Sequence, residues 1–159
     1  MGKVRKRHNP RGKLPRLVIA DDDPVIRSVV IEQLRHEFDC VGEAADAAEA
    51  ITVVTEQNPD VAILDVNMPA GGAGHATRQI CEQSPGTAIV ILSIDETWAD
   101  LIELLNAGAM TYLRKGVDEP TLVHDLKAAI EAHRRCAHRA STATNGHSAA
   151  VPAAFAGDV

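Results

Sequence analysis

Carboxylate side chains follow two short apolar runs of the sequence, at the point where each run stops. Asp21 and Asp22 come directly after one run, and Asp65 comes directly after Val61–Leu64. Carboxylates that are held together repel one another, and burial raises their pKa values unless a positive charge lies among them. A hard divalent cation meets this need, and Mg²⁺ suits a site of two carboxylates, a carbonyl and waters. We therefore predict Asp22 and Asp65 as carboxylate ligands, Asp21 acting through water, and Asn67 contributing its backbone carbonyl.

Two later apolar runs end on a hydroxyl and on an ammonium group. Ser93 follows the run Thr87–Leu92, and Lys115 follows Met110–Arg114. This set suits an anion with three peripheral oxygens, and phosphoryl transfer requires little beyond in-line positioning and charge neutralisation. A carboxylate can itself be the nucleophile and carry an aspartyl-phosphate. Asp65 is the candidate nucleophile because it follows the central strand, between the acidic pair and the Ser93–Lys115 pair.

The apolar runs predict strands that position these side chains. Helix-like segments separate them, and the first begins at Pro24 after Asp23, a strong helix start. The predicted helices then cover about 46–57, 74–84, 95–107 and 118–135. The predicted strands are Arg16–Ala20, Cys40–Ala44, Val61–Leu64, Thr87–Leu92 and Met110–Arg114. This alternation predicts an α/β fold with a parallel sheet and helices on both faces, and the strand-terminal residues share one edge.

The charge distribution divides the chain into three regions. Residues 1–16 carry seven Lys and Arg and no acid, which leaves a net charge of −13 on the remainder. An acidic domain with a basic leader is not typical of a folded nucleic-acid binder. We predict a disordered basic arm at 1–15, one folded domain at 16–136, and a disordered Ala/Ser/Thr-rich tail at 137–159.

Several classes of protein are not favoured by the sequence. The three cysteines are odd in number and show no CxxC spacing, which favours a reducing compartment, and we expect a cytoplasmic protein. The N-terminal region lacks the apolar segment of a secretory signal, and no stretch predicts a membrane span. His133, Cys136 and His138 match no zinc-binding spacing, and we interpret them as the end of a basic helix.

A set of residues in fixed order resembles the receiver domain of two-component response regulators, over about residues 16–135. The set comprises Asp21-Asp22, Asp65, Ser93, Tyr112 and Lys115, and its most specific parts are Asp65-Val-Asn-Met-Pro and the segment from Ala107 to Lys115. The resemblance implies a doubly wound, flavodoxin-like five-stranded parallel sheet with strand order 2-1-3-4-5. It is closest to receivers of the branch that carries a helix-turn-helix effector.

The resemblance also implies a function. A sensor histidine kinase or a histidine phosphotransfer protein would donate the phosphoryl group of its phosphohistidine to Asp65, with Mg²⁺ as cofactor. Ser93 would then bond a phosphoryl oxygen, and Tyr112 would turn inward behind it. This movement would reshape the surface of the fourth helix, fifth strand and fifth helix, where an output protein that the sequence does not identify would bind. We therefore expect a phosphorylation switch and not a turnover enzyme.

Three positions depart from the pattern of the family. Ile94, which follows Ser93, stands where the family usually has a small residue, so we expect restricted water access and slow autodephosphorylation. Ala73 stands at the usual glycine position after the Met-Pro loop, which predicts a different turn there. Gly116 replaces the common proline, so a cis peptide bond is not expected after Lys115.

Two other functions compete with the receiver interpretation. A transcriptional regulator whose DNA-binding module is truncated or absent from this chain is the main alternative, although direct DNA binding by the chain itself is not expected. A metal-dependent phosphohydrolase of related topology would need an acid two residues after the nucleophile, where Asn67 stands. A phosphorylation-dependent homodimer stays open.

Overall fold

Ten regular elements make up the described part of the chain. A computed structural model describes residues 13–94 and 97–145, in which strands and helices alternate. In order they are β1 (Arg16–Ala20), α1 (Pro24–Leu34), β2 (Asp39–Ala44), α2 (Ala47–Gln57), β3 (Val61–Asp65), α3 (Gly72–Gln83), β4 (Ala88–Ser93), α4 (Trp98–Ala107), β5 (Thr111–Arg114) and α5 (Glu119–Asn145).

The five strands form one parallel sheet in the order β2-β1-β3-β4-β5, as the resemblance implied. Their carboxyl ends are aligned, because Asp65 pairs with Leu92 and Ser93 pairs with Arg114. The register therefore brings the strand-terminal polar residues to the same edge, where open parallel sheets bind their ligands.

Alternate residues of each strand pack on opposite faces of the sheet. Val18 and Leu64 face a cluster that includes α2, α3 and α4, whereas Leu17 and Ile63 face α1 and α5. All four side chains are fully buried. Burial of this aliphatic surface is the main stabilising contribution to the domain, since each buried Leu or Ile contributes about 1.5–3 kcal/mol.

Capping residues set the start of two helices. Asp23 accepts hydrogen bonds from the amides of the first turn of α1, as predicted. The predicted start of α4 near Asp95 is wrong, because the helix begins at Trp98, while residues 95–96 lie outside the described part of the chain. Thr97 caps α4 in a reciprocal capping box with Asp100, which satisfies two backbone amides and fixes the boundary there.

The largest difference from the sequence expectation lies in α5. This helix was predicted to fade near Arg135, but it continues to Asn145. The prediction of disorder is therefore wrong for residues 137–145. Extending an existing helix costs little compared with nucleating one, and alanines recur through this segment. The remainder of the predicted tail, 146–159, and residues 1–12 of the predicted arm lie outside the described residues.

Two side chains attach the middle of α5 to the amino-terminal edge of the sheet. Arg134 pairs with Asp60 at 3.0 Å, and His133 Nε2 lies 2.8 Å from the carbonyl oxygen of Pro85. His133 thus has a structural contact. No helix in the described part of the chain combines the length and the apolar character that crossing a membrane requires.

Candidate functional site

The turn after β1 holds Asp21 through its backbone and its side chain. The amide of Asp21 donates to the carbonyl of Ala44 at 3.0 Å, and the amide of Asp23 donates to Asp21 Oδ1 at 2.9 Å. Asp21 is only 1% exposed, whereas Asp22, the next residue, is exposed. The sharp turn into α1 therefore places two consecutive carboxylates in different environments.

Asp65 and Lys115 complete a compact cluster at this edge. Carboxylate oxygens of Asp21, Asp22 and Asp65 lie within 4.8 Å of one another. The Lys115 ammonium lies between two of them, 2.7 Å from Asp21 Oδ2 and 3.0 Å from Asp65 Oδ1. These ion pairs are nearly removed from water, since the lysine side chain is 12% exposed and that of Asp65 is 5% exposed.

For both Asp65 and Lys115, burial and the contact with the opposite charge shift the pKa in opposite directions. Burial raises the pKa of Asp65 above its ordinary value, and the nearby Asp21 adds to the effect. Hydrogen bonds from Lys115 and from the backbone of Asn67 only partly offset it. Burial lowers the pKa of Lys115, but its contacts with the two carboxylates outweigh burial and raise it overall. Asp65 is thus an under-neutralised carboxylate beside a lysine that stays charged.

The donor set fits a magnesium ion. In the part of the chain that the structure describes, these three acids are the one group of His, Cys, Asp or Glu side chains arranged to hold a metal. Two oxygens that bind one Mg²⁺ directly are at most about 4.2 Å apart, given bond lengths near 2.1 Å. The observed spread suits two direct carboxylates and a third that acts through water, and hard oxygen donors are those that Mg²⁺ prefers.

Ser93 lies beside the cluster at the end of β4. The residue is 5% exposed, and its carbonyl oxygen accepts a hydrogen bond from the amide of Lys115 at 2.8 Å. The next residue, Ile94, is 66% exposed. Gly116 follows Lys115 with φ of +88°, a conformation that a glycine adopts without strain. The described residues contain no cis peptide bond.

Tyr112 lies in β5, the edge strand beside β4. It is half-buried, and its ring contacts Trp98 edge-on with centroids 6.4 Å apart. Trp98 itself is 71% exposed and shares its face of α4 with the exposed residues Ile102 and Leu105. The tyrosine therefore connects the interior of the sheet with an apolar strip on the surface of α4.

The loop after Asp65 has an uncommon backbone. Ala70, Gly71 and Gly72 all have positive φ values, of +61°, +110° and +73°. Ala73 belongs to α3, where it is buried, so it does not occupy the turn. Asn67 is exposed, and the predicted use of its carbonyl as a metal ligand stays a prediction.

The sequence analysis did not identify Arg27, which contacts the acidic turn. Its Nη1 donates to the carbonyl oxygen of Asp21 at 2.6 Å, and its Nε lies 3.3 Å from Glu43 Oε1. A signal was available in the sequence, because side chains of a helix point towards its amino terminus. An arginine in the second turn of α1 thus has the length to contact the residues just before that helix.

Comparisons with known proteins agree with this geometry. The family described as "Response regulator receiver domain" matches residues 17–127. The oxygen regulatory protein NreC of Staphylococcus epidermidis is 38% identical over 111 residues, which cover 68% of this chain and 51% of that protein. The chain spans about half the length of the curated relatives it matches.

Solved structures show the same fold. The signal receiver domain of the response regulator NarL from Mycobacterium tuberculosis superimposes with a TM-score of 0.69 at 27% identity, covering 77% of this chain and 98% of that one. A receiver domain of a sensor histidine kinase from Pseudomonas aeruginosa, described with a magnesium ion coordinated in its active site cleft, gives 0.67 at 26% identity, covering 74% and 98%. This chain belongs to the response regulator receiver domain family of two-component signalling systems.

Proposed function

We propose that this protein accepts a phosphoryl group on Asp65 from the phosphohistidine of a sensor histidine kinase or a histidine phosphotransfer protein. The observation that carries the proposal is the convergence of Asp65, the two acids after β1 and Lys115 at one edge of the sheet. In the transfer, the phosphorus–nitrogen bond of the donor breaks and a phosphorus–oxygen bond to an Asp65 carboxylate oxygen forms. The histidine nitrogen keeps the electron pair of the broken bond.

Each residue of the cluster has a role that follows from its charge and position. Asp21, Asp22, Asp65 and the backbone carbonyl of Asn67 would hold Mg²⁺, which supplies positive charge to the oxygens of the transferred group. Lys115 contacts Asp65 directly and can neutralise a second phosphoryl oxygen. Asp65 is already accompanied by a lysine that stays charged, so one positive charge for the transferred group is in place before transfer.

Ser93 and Tyr112 would couple the phosphorylation of Asp65 to a change at the surface of the domain. A bond from the Ser93 hydroxyl to the phosphoryl group would draw the end of β4 towards Asp65. Tyr112 would then turn inward and give up its edge-on contact with Trp98. The exposed apolar strip of Trp98, Ile102 and Leu105 is the surface that this movement changes, and it is where an output protein or a second copy of the chain would bind. In this role the protein acts as a switch and does not turn over a substrate.

The sole tryptophan of the chain makes both steps measurable in one experiment. The full chain is incubated with acetyl phosphate and Mg²⁺, and the intact mass and the emission of Trp98 are recorded. We expect the addition of one phosphoryl group, a change in emission, and neither result in EDTA or in Asp65→Asn. In Ser93→Ala the mass should change while the emission responds weakly. A protein that stays unmodified under conditions that phosphorylate another receiver domain would refute the proposal.

A second candidate function is transcriptional regulation through an effector module outside this chain. The observation in its favour is that the matched relatives, among them proteins named transcriptional regulatory protein DegU and PdtaR, are about twice as long as the matched region. The receiver would then control that module in the same polypeptide. Reading the gene beyond the codon for Val159 and finding no helix-turn-helix segment would remove this candidate. In either role we place the protein in the cytoplasm, since Cys40, Cys81 and Cys136 are all free.

A further inference from the structure

Arg27 joins the turn after β1 to the neighbouring edge strand. Its side chain is 17% exposed, although arginine is mostly exposed in proteins. The guanidinium has two partners, the main-chain oxygen of Asp21 at 2.6 Å and the Glu43 carboxylate at 3.3 Å. Glu43 lies on β2, so Arg27 spans from α1 over the end of β1 to the edge of the sheet.

Arg27 binds the backbone carbonyl of Asp21 and so also constrains the backbone of Asp22. The carbonyl that Arg27 binds belongs to the peptide plane that links Asp21 to Asp22, and the amide of Asp21 is already fixed by Ala44 at 3.0 Å. Because a peptide unit is rigid, holding its oxygen also holds the nitrogen and Cα of the next residue. Asp22 is exposed, so its position depends on this backbone more than on packing of its own side chain.

We propose that Arg27 is a positioning residue that orients Asp22 in the cation site and thereby sets the affinity of the site for Mg²⁺. The inference rests on the proposed function, since it presumes that the three carboxylates bind the ion. Arg27 does not contact the ion, the transferred group or Asp65. Its effect passes through the main-chain oxygen of Asp21.

The charge of Arg27 and its positioning role have opposite effects on cation binding. A positive charge near a cation site repels the cation, so removal of that charge alone would strengthen Mg²⁺ binding. Glu43 reduces this repulsion because it pairs with the same guanidinium. Loss of the hydrogen bond to Asp21, in contrast, frees the peptide plane before Asp22 and weakens binding. The direction of the change in Kd therefore distinguishes the two roles.

The test measures the Kd for Mg²⁺ of the full chain by isothermal titration calorimetry, with no phosphodonor present. We expect Arg27→Gln to raise Kd by about fivefold or more, since a hydrogen bond from a charged donor is worth about a tenfold change in an equilibrium constant. Arg27→Lys keeps the charge but has a single ammonium for two partners, so it should raise Kd to an intermediate value. Arg35→Gln removes the same charge from an exposed pair at the end of α1 and should leave Kd unchanged.

Phosphorylation provides a second readout that a merely structural defect would not reproduce. At saturating Mg²⁺ both Arg27 variants should be phosphorylated at the wild-type rate, whereas at low Mg²⁺ they should be slower. If Arg27→Gln and Arg27→Lys bind Mg²⁺ at least as tightly as the wild type, the role of Arg27 is refuted and the proposed function is unaffected. If the wild-type chain binds no Mg²⁺, the proposed metal site fails and the inference fails with it.

Discussion

Lys115→Met removes the cation that contacts both buried carboxylates and should make the stability of the domain depend on Mg²⁺. At an effective dielectric constant near 20, charges 2.7 and 3.0 Å apart attract by about 6 kcal/mol for each pair before desolvation is subtracted. Removing one partner of such a buried pair typically costs about 3–5 kcal/mol, because the remaining charge stays buried. We expect the lower end, about 3 kcal/mol in EDTA at neutral pH, since Asp22 and the mouth of the site are solvated.

Added Mg²⁺ should restore most of that loss. In the wild-type protein the cation would compete with Lys115 for Asp21 and Asp65, whereas in the variant it would meet two unneutralised carboxylates. The Mg²⁺-dependent gain in the free energy of unfolding should therefore be larger in Lys115→Met than in the wild type. Urea unfolding at fixed Mg²⁺ concentrations, followed by the fluorescence of Trp98, measures both quantities.

The pH dependence of the same variant has a defined sign. Lys115 lowers the pKa of Asp65, so its removal raises that pKa further above the unfolded value. A carboxyl whose folded pKa is raised loses stability as the pH rises from the unfolded pKa through the folded one. The cost of Lys115→Met should thus shrink towards low pH, where the carboxyl is protonated in both states.

The control for this experiment is Lys127→Met, which breaks the exposed pair between Lys127 and Glu37. Exposed pairs contribute little, so this variant should change stability slightly and independently of Mg²⁺. The reasoning is refuted if Lys115→Met costs nothing in EDTA, or if Mg²⁺ stabilises it no more than it stabilises the wild type.

Three further predictions concern the carboxylate of Asp65 and the backbone at Ala70 and Gly108. Asp65→Asn should stabilise the protein at pH 7. Because the pKa of Asp65 is raised in the folded state, its ionisation costs stability as the pH rises above 3.8, the ordinary pKa of aspartate. Urea unfolding should show that the gain disappears at lower pH. Ala70→Gly should raise the free energy of unfolding by about 0.5–1 kcal/mol, since a non-glycine residue at φ of +61° is strained; an unchanged or lower value would contradict this. Gly108→Ala should destabilise the protein by about 2 kcal/mol or more, because φ of Gly108 is +120° and a new Cβ would lie 2.5 Å from Cys81 Sγ. Thermal unfolding measures this effect, and Gly86→Ala, whose Cβ would meet open space, is the matched control.

The sequence was sufficient for the order of elements and for the residues at the strand ends. Apolar runs such as Val61–Leu64 alternate with helical periodicity, and a parallel sheet follows from that alternation. Because parallel strands end on one edge, Asp21, Asp65 and Lys115 could be predicted to lie together before any coordinate was known. Local chemistry also set the start of α1, where Asp23 precedes Pro24.

Helix ends were less predictable, because a helix can end wherever a competing contact or cap satisfies the backbone. The start of α4 was placed at Asp95, yet the capping box of Thr97 determines it. The end of α5 was placed near Arg135 from the loss of apolar periodicity, but periodicity reports on packing against the sheet and not on helix formation. The segment after Arg135 contains alanines at positions 137, 140 and 143 and extends a helix that is already nucleated.

The sequence by itself determined which chemical groups reach the site, since residue type and position at the end of an apolar run are local properties. Only the tertiary structure decided how those groups are paired: that Lys115 bridges Asp21 and Asp65, and that Arg27 holds the backbone before Asp22. These contacts join residues from different strands and helices, and their distances depend on the packing of the whole sheet. The distances between these charged groups and their burial cannot be obtained from spacing along the chain, because both depend on the elements that surround the site in space.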